Sequence, residues 1–262
     1  MQLTWSDYDE HGISEAQVHP VIQGLIAHVP PGWSYSAGWS GEEINGEAAS
    51  EAEAKEMVEQ HLRTFSVPSF ITEAIAVPHL DFNVSLDHIK RTTPGTSEAV
   101  DVLQTVIEDG YGFVTLIDEP GTGKTHMLGT ALHTLCRAYL ISRDTVPVVE
   151  CIRYGYMVSM IDGLRALYST DDFGQTFNEA WQKLLDIPAL LIDDIDKAPR
   201  SDWSRARIYE LIDHRYRGRY DLVTIMAANT LKDLTQPIRS RIEDQSCFLV
   251  KVGGKNLRKR RR

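Results

Sequence analysis

A chain of 262 residues, 42% hydrophobic and 24% charged, holds enough apolar side chains for one large domain, or for a core domain with a small appendage. No apolar run approaches the roughly 20 residues that span a bilayer, and Met1-Gln2-Leu3-Thr4-Trp5-Ser6-Asp7 lacks the basic-then-apolar order of a secretion signal. These features argue against a membrane protein and make the cytoplasm the expected compartment.

The net charge of −10 is unevenly spread. Residues 1–60 carry 11 acidic side chains against one base, Lys55, and residues 61–250 carry 26 against 19. The last 12 residues hold seven bases and no acid. The three cysteines, Cys136, Cys151 and Cys247, form no C-x-x-C pair, so neither a zinc site nor a disulfide framework is expected.

Along the chain, the first 40 residues are rich in Gly, Pro, Ser and aromatics (Pro30-Pro31-Gly32-Trp33-Ser34-Tyr35, then Gly38-Trp39-Ser40-Gly41) and predict loop or irregular structure. The Ala, Glu and Met content of residues 47–65 predicts a helix, and Pro68 and Pro78 punctuate the lead-in that follows. From about residue 81 helices alternate with apolar runs. Ala99, Val102, Leu103, Val106 and Ile107 make a 3.6-residue stripe over 97–109. Residues 113–117 read as a buried strand, followed by a helix over 124–139. Further strands are expected at 146–152, 189–192, 222–227 and 247–252, with helices at 156–168, 173–185 and 204–217. This alternation predicts an α/β fold, a parallel sheet sandwiched by helices, with a small, mostly helical or irregular N-terminal appendage.

Directly after the first strong strand comes Asp118-Glu119-Pro120-Gly121-Thr122-Gly123-Lys124-Thr125. Glycines let backbone N–H groups turn toward a phosphate, Lys124 would reach the β and γ oxygens, and Thr125 would offer its hydroxyl to Mg²⁺. The helix that follows aims its positive N-terminus at the anion. The pattern departs from G-x-x-x-x-G-K-[ST] at Asp118, and Glu119 adds a second acid. Two carboxylates beside a triphosphate oppose binding unless they point away or are neutralised.

Downstream, Ala189-Leu190-Leu191-Ile192-Asp193-Asp194 is an apolar run ending in two carboxylates. A strand beside the phosphate loop delivers such an end to the same sheet edge. There Asp193 would hold Mg²⁺, and Asp194 would orient or deprotonate the attacking water. Asn229, after the strand at 222–227, could hydrogen-bond the γ-phosphate or that water. Arg239 and Arg241 lie beyond a proline-punctuated turn, where a guanidinium could stabilise phosphoryl transfer in a neighbouring subunit.

In this order, Gly121-Thr122-Gly123-Lys124-Thr125-His126, Leu191-Ile192-Asp193-Asp194, residues 209–216 (YELIDHRY), Ala228-Asn229-Thr230-Leu231 and Ile238-Arg239-Ser240-Arg241-Ile242 resemble the AAA+ ATPases. More narrowly they resemble the DnaC/IstB-like branch, which contains replicative-helicase loaders and transposition helper ATPases. The resemblance covers about residues 80–255. It implies a P-loop NTPase fold, with Pro120, Gly121, Thr122, Gly123, Lys124, Thr125 and His126 around the nucleotide. Lys124 and Thr125 take Walker A roles, Asp193 and Asp194 Walker B roles, and Asn229 the sensor 1 role. Arg241 best matches the arginine finger, with Arg239 the other candidate because Pro237 stands where many of these proteins place an arginine. ATP and Mg²⁺ are the implied cofactors and ATP hydrolysis the implied reaction. In the family DNA lies along the inner face of the assembly; here Arg153, Arg165 and Lys183 are candidates there, among Asp162, Asp171, Asp172 and Glu179.

Three parts are therefore expected: an acidic partner-binding region and linker at 1–79, an ATPase domain at 80–252 and a basic tail at 253–262. The 21 residues after Arg241 are too few for a helical lid domain, so a second subunit would have to supply Arg241, and a nucleotide-dependent homo-oligomer is expected. The tail suits single- or double-stranded DNA through phosphate neutralisation, or acts as a solvated arm or a dock for an acidic partner. Trp5, Trp33, Tyr35 and Trp39 read as interface anchors or as packing within the chain. The expected function is loading a replicative helicase onto single-stranded DNA. The alternatives are regulation of a DNA transposase, or a hydrolysis-poor adapter spoiled by Asp118 and Glu119.

Overall fold

The computed structural model describes residues 5–9, 13–19, 22–39, 42–64, 86, 89–142, 151–170 and 175–253. It divides into two compact units, residues 1–68 with 136–148, and residues 69–135 with 149–262. The expected boundary at residue 79, the tail from residue 254, Asp171 and Asp172 all fall outside the described residues.

The first unit corrects the expectation of irregular structure. Strands β1 (Ile13–His19), β2 (Ile22–Val29), β3 (Gly32–Trp39) and β4 (Glu42–Ala48) form an antiparallel meander in the order β1-β2-β3-β4. Pro30-Pro31 forms the turn of the central hairpin, so the prolines mark where two strands meet and not a long loop. Side chains alternate in the register Ile26↔Tyr35 and Ala37↔Ile44, which puts Ile26, Tyr35, Ala37, Ile44 and Ala48 on one face. Helix α1 (Glu51–Thr64) packs on this sheet and buries Ala54 and Val58. The helix is shorter than the predicted 47–65 because Glu47 and Ala48 belong to β4.

In the second unit, α2 (Pro94–Asp109) leads to the sheet core. Then follow β5 (Gly112–Ile117), α3 (Lys124–Ser142, of which residues 124–135 belong to this unit), β6 (Ile152–Tyr156), α4 (Met157–Thr170), α5 (Gln175–Asp186), β7 (Ala189–Asp193) and a single 3-10 turn (Ile195–Lys197). Next come α6 (Asp202–Arg217), β8 (Val223–Ala228), α7 (Gln236–Ile242) and β9 (Phe248–Lys251). The five strands are all parallel, in the order β6-β7-β8-β5-β9. The strand expected at 146–152 is met only at its end, where β6 starts; residues 146–150 are outside the described set.

Strands β7 and β8 are buried along their whole length, which is what a parallel sheet covered on both faces requires. Phe113, Leu190, Ile192, Met226 and Ala228 form one continuous core with Ile161, Phe177, Ile208, Leu211 and Ile238 from α4 to α7. Helix α2 packs against β5 and β9. A Cβ on Gly95 would stand 2.1 Å from the Lys251 carbonyl oxygen, so only glycine lets the start of α2 approach the end of β9 this closely.

Arg215 is fully buried within this unit. Its Nε donates to Thr224 Oγ1 at 2.8 Å, and its other nitrogens donate to the carbonyls of Leu185, Ile187 and Val223. The guanidinium thereby staples the end of α5 and the approach to β7 onto the start of β8.

Candidate nucleotide site

Parallel pairing brings the C-terminal ends of β5, β7 and β8 to one edge, through Ile117↔Ala228 and Ile192↔Met226. The loop from Asp118 to Gly123 leaves β5 there. Gly121 (φ 90°) and Gly123 (φ 100°) occupy the left-handed region that side-chain-bearing residues avoid, which turns the loop into the start of α3. Thr122 Oγ1 donates to the Glu119 carbonyl at 3.0 Å and closes the loop. Pro120 on the loop and His126 in the first turn of α3 are exposed.

Lys124 is buried, and its Nζ donates to the carbonyl oxygens of Asp118 (2.8 Å) and Glu119 (3.0 Å) and to Asn229 Oδ1 (3.0 Å). Burial pulls its pKa below the ordinary lysine value, while Asp118, Asp194, Asp193 and Asp196 act in the opposite direction. Asn229 Nδ2 donates to Asp194 Oδ1 at 3.2 Å. Lys124, Asn229 and Asp194 therefore form one hydrogen-bonded chain across three strand ends.

Asp194 sits in the left-handed region at φ 51°, the one non-glycine residue to do so among the described residues. An aspartate tolerates that conformation better than most side chains, and such strain is commonly retained at functional positions. Its neighbour Asp193 is buried and accepts from the Asp194 N–H (2.9 Å) and the Tyr154 hydroxyl (3.2 Å). Burial raises the Asp193 pKa, a hydrogen bond with the Thr125 side chain lowers it, and Asp194 raises it. Burial, then Asp193, pushes the Tyr154 phenol far above its usual value, so it stays a donor.

Asp118 does not behave as its place in the motif suggested. Its Oδ1 accepts from the Glu119 N–H and its Oδ2 from the Gly253 N–H, both at 2.7 Å. Both oxygens are thus occupied by backbone donors, and the carboxylate ties the loop to the residue that follows β9 by two. Glu119 is exposed.

Arg239 and Arg241 lie on α7, and no hydrogen bond joins Arg241 to the Lys124 chain. Arg241 is paired with Asp213 of α6 (Nη2 to Oδ1, 2.8 Å), donates to the Tyr209 hydroxyl (3.2 Å) and lies over the Tyr209 and Tyr216 rings. Arg239 is half-buried. Of the three basic residues considered for DNA, Arg165 is held by Ser201, Ser204 and the Trp203 ring. Arg153 and Lys183 are exposed and line a groove with Met160, Leu164 and Leu184.

Two residues of this edge went unnoticed in the sequence. Tyr154 carries no motif. Asp196 stands in plain view in Asp193-Asp194-Ile195-Asp196, where a third carboxylate two residues after a strand-end pair was the available signal.

Residues 114–249, just over half of the chain, match the model of the ATPase family associated with various cellular activities (AAA). The chain belongs to the AAA family. No curated protein sequence matches it. Among solved structures, AMPPCP-bound DnaA from Aquifex aeolicus is similar to this AAA protein with a TM-score of 0.53 at 19% identity, over 66% of this chain and 51% of that one. Domain III of the Thermotoga maritima replication initiation protein DnaA gives 0.52 at 16%, over 66% and 68%. The DnaC helicase loader gives 0.50 at 20% identity, over 64% of this chain and 96% of that one. The match spans about half the length of the Aquifex DnaA chain. At these identities the likeness is one of fold.

The donor set suits a hydrated Mg²⁺. No group of three or more His, Cys, Asp or Glu side chains that could hold a metal occurs among the described residues. Mg²⁺ asks for no such cage, since one or two carboxylates with substrate phosphates and water suffice. The adjoining Thr125 and Asp193 side chains meet that requirement. No helix among the described residues is long and apolar enough to cross a membrane.

Proposed function

We propose that this AAA protein binds ATP with Mg²⁺ at the β5–β7–β8 edge, hydrolyses it, and works in DNA replication as a loader of a replicative helicase on single-stranded DNA. The observation that carries the reading is the direct hydrogen-bonded chain Lys124–Asn229–Asp194.

In this reading the backbone N–H groups of Gly121, Thr122 and Gly123 and the N-terminus of α3 receive the phosphates. Lys124 exchanges the Asp118 and Glu119 carbonyls for phosphate oxygens, a trade of neutral acceptors for anionic ones. Thr125 and Asp193 would hold Mg²⁺, whose charge would offset that of the triphosphate. That offset is needed, because four carboxylates act on Lys124 and a bare triphosphate would meet a net negative site. Asp194 orients the attacking water and takes its proton, and Asn229 keeps Asp194 and the γ-phosphate in register. Water oxygen bonds to the γ-phosphorus, the bond to the bridging oxygen breaks, and its electron pair leaves with ADP. Arg241 of a second copy, or Arg239, supplies the charge that the transition state needs.

A helicase partner is favoured by the likeness to DnaC, almost all of whose chain is matched. Residues 1–79 would grip that partner, and the basic tail at 253–262, with Arg153 and Lys183, would meet DNA. The engagement of both Asp118 oxygens by backbone N–H groups favours active turnover over a hydrolysis-poor adapter. The test is ATP affinity and turnover, with and without single-stranded DNA, for the wild type and Lys124→Ala. A loss of about 100-fold or more in turnover for the variant is expected. An inert wild type would refute the enzyme reading. Co-purification with a hexameric helicase supports the loader role, and capture of a transposase in its place overturns it.

A further inference from the structure

Asp196 is given no step in the mechanism above beyond its charge, yet its side chain is enclosed at the same edge. It lies on the 3-10 turn that follows the left-handed Asp194, and its side chain has 0% exposure. Both of its oxygens accept from Asn229. Oδ1 accepts from the Asn229 backbone N–H at 3.0 Å, and Oδ2 accepts from Asn229 Nδ2 at 3.4 Å. Lys197, 54% exposed, approaches Oδ2 at 3.1 Å and supplies the opposite charge.

An ionised carboxylate only accepts hydrogen bonds, so the Asn229 amide must turn its nitrogen toward Asp196. The same nitrogen meets Asp194 Oδ1, and the amide oxygen is left to accept from Lys124 Nζ. A flipped amide would set its oxygen against two carboxylates and its NH₂ against an ammonium. Charge on three sides thus fixes one orientation, and Asp196 alone holds both the backbone and the side chain of Asn229.

We infer that Asp196 is a positioning residue for phosphoryl transfer, acting through Asn229. The inference rests on the ATPase reading above. A merely structural Asp196 would join the ends of β7 and β8 and leave the placing of the Asn229 amide to Lys124 and Asp194 alone.

The test uses the full chain as wild type, Asp196→Asn, Asn229→Ala and the double variant. Asp196→Asn keeps the shape and puts an NH₂ or a weaker carbonyl where Oδ2 stood. ATP turnover is expected to fall about tenfold or more while KM and the affinity for Mg²⁺ with a fluorescent ATP analogue change less than about threefold. In the Asn229→Ala background the same change should cost nothing further, because the two residues act as a unit. In ¹⁵N-labelled protein the Asn229 side-chain NH₂ resonances should move, an outcome that needs no turnover. If the wild type hydrolyses nothing, the ATPase reading falls while the resonances still decide the clamp. Unmoved resonances, unchanged turnover, or an equal further loss in the Asn229→Ala background would each overturn the inference. Should Asp196→Asn fail to fold, Asp196→Ser keeps one acceptor for the Asn229 N–H. It should fold with low turnover, and wild-type turnover from it would be equally fatal.

Discussion

The Asp118 carboxylate accepts the Gly253 N–H at 2.7 Å across 135 residues of sequence, and so clasps the start of the phosphate loop to the chain beyond the last sheet strand. The acid that stands in place of the motif's first glycine is therefore built into the framework of the loop.

Asp118→Gly should consequently lower stability, not improve binding. Loss of hydrogen bonds to a nearly buried carboxylate should cost about 1.5–3 kcal/mol. Thermal unfolding would read this as a lower Tm, while affinity for ATP stays within a few-fold of wild type. A large gain in affinity on introducing glycine would show that the carboxylate opposes the triphosphate after all.

Arg215 makes a second, independent prediction. Replacing it with methionine fills much of the space but leaves the carbonyls of Leu185, Ile187 and Val223 without that donor. The expected loss is about 3 kcal/mol, or a drop of roughly 6–12 °C in Tm. An unchanged Tm would mean that water replaces the guanidinium without penalty.

The pairing of Arg241 with Asp213 keeps the guanidinium within its own α6–α7 layer. If Arg241 serves a neighbour's site, Arg241→Ala should be inactive alone, down by about 10³-fold, yet regain part of its turnover when mixed with equally inactive Lys124→Ala. Mixed subunits would then contain interfaces with an intact lysine facing an intact arginine. Failure to complement, with Arg239→Ala complementing in its place, would move the role to Arg239. Molar mass measured with and without ATP and Mg²⁺ should rise with nucleotide.

Burial pushes the Cys247 thiol from 9.0 up to about 11. At pH 8 its thiolate fraction is about 100-fold below that of an ordinary cysteine, so alkylation of this site, followed by mass spectrometry, should be slow until the pH nears 11. The fold favours the protonated thiol. Its contribution to stability is whole below pH 9.0 and is lost as the pH climbs from there toward 11. Rapid alkylation of the folded chain at pH 8 would contradict this.

Most of the second unit was readable because β5, β7 and β8 are apolar runs and its longer helices carry regular stripes; β6 (IRYGY) is no such run, and the strand was expected earlier, at 146–152. Lys124, Asp194 and Asn229 each end or follow such a run, so sheet geometry alone delivers them to one edge. The N-terminal sheet was harder to read: β3 does alternate Gly and Ser with Trp, Tyr and Ala, the period-two pattern of a strand, but its Gly and Ser are also what a loop carries, and Pro30-Pro31 suggests a break where the chain makes a hairpin. Arg215 was hidden by its setting, since a basic residue near a helix end normally faces solvent. Asp196 and the clasp of Asp118 depend on which donors surround a carboxylate, and that appears only when distant segments meet.

Strand β5 carries the phosphate loop, yet both of its neighbours, β8 and β9, come from the far end of the chain. A fragment that stops short of residue 248 would leave β5 at the margin of the sheet, with one row of backbone groups unpaired and Asp118 deprived of its Gly253 partner. Closing such long loops is slow. The residues that would cradle a nucleotide are thus made early and set late, and the order of synthesis is not the order in which the site matures.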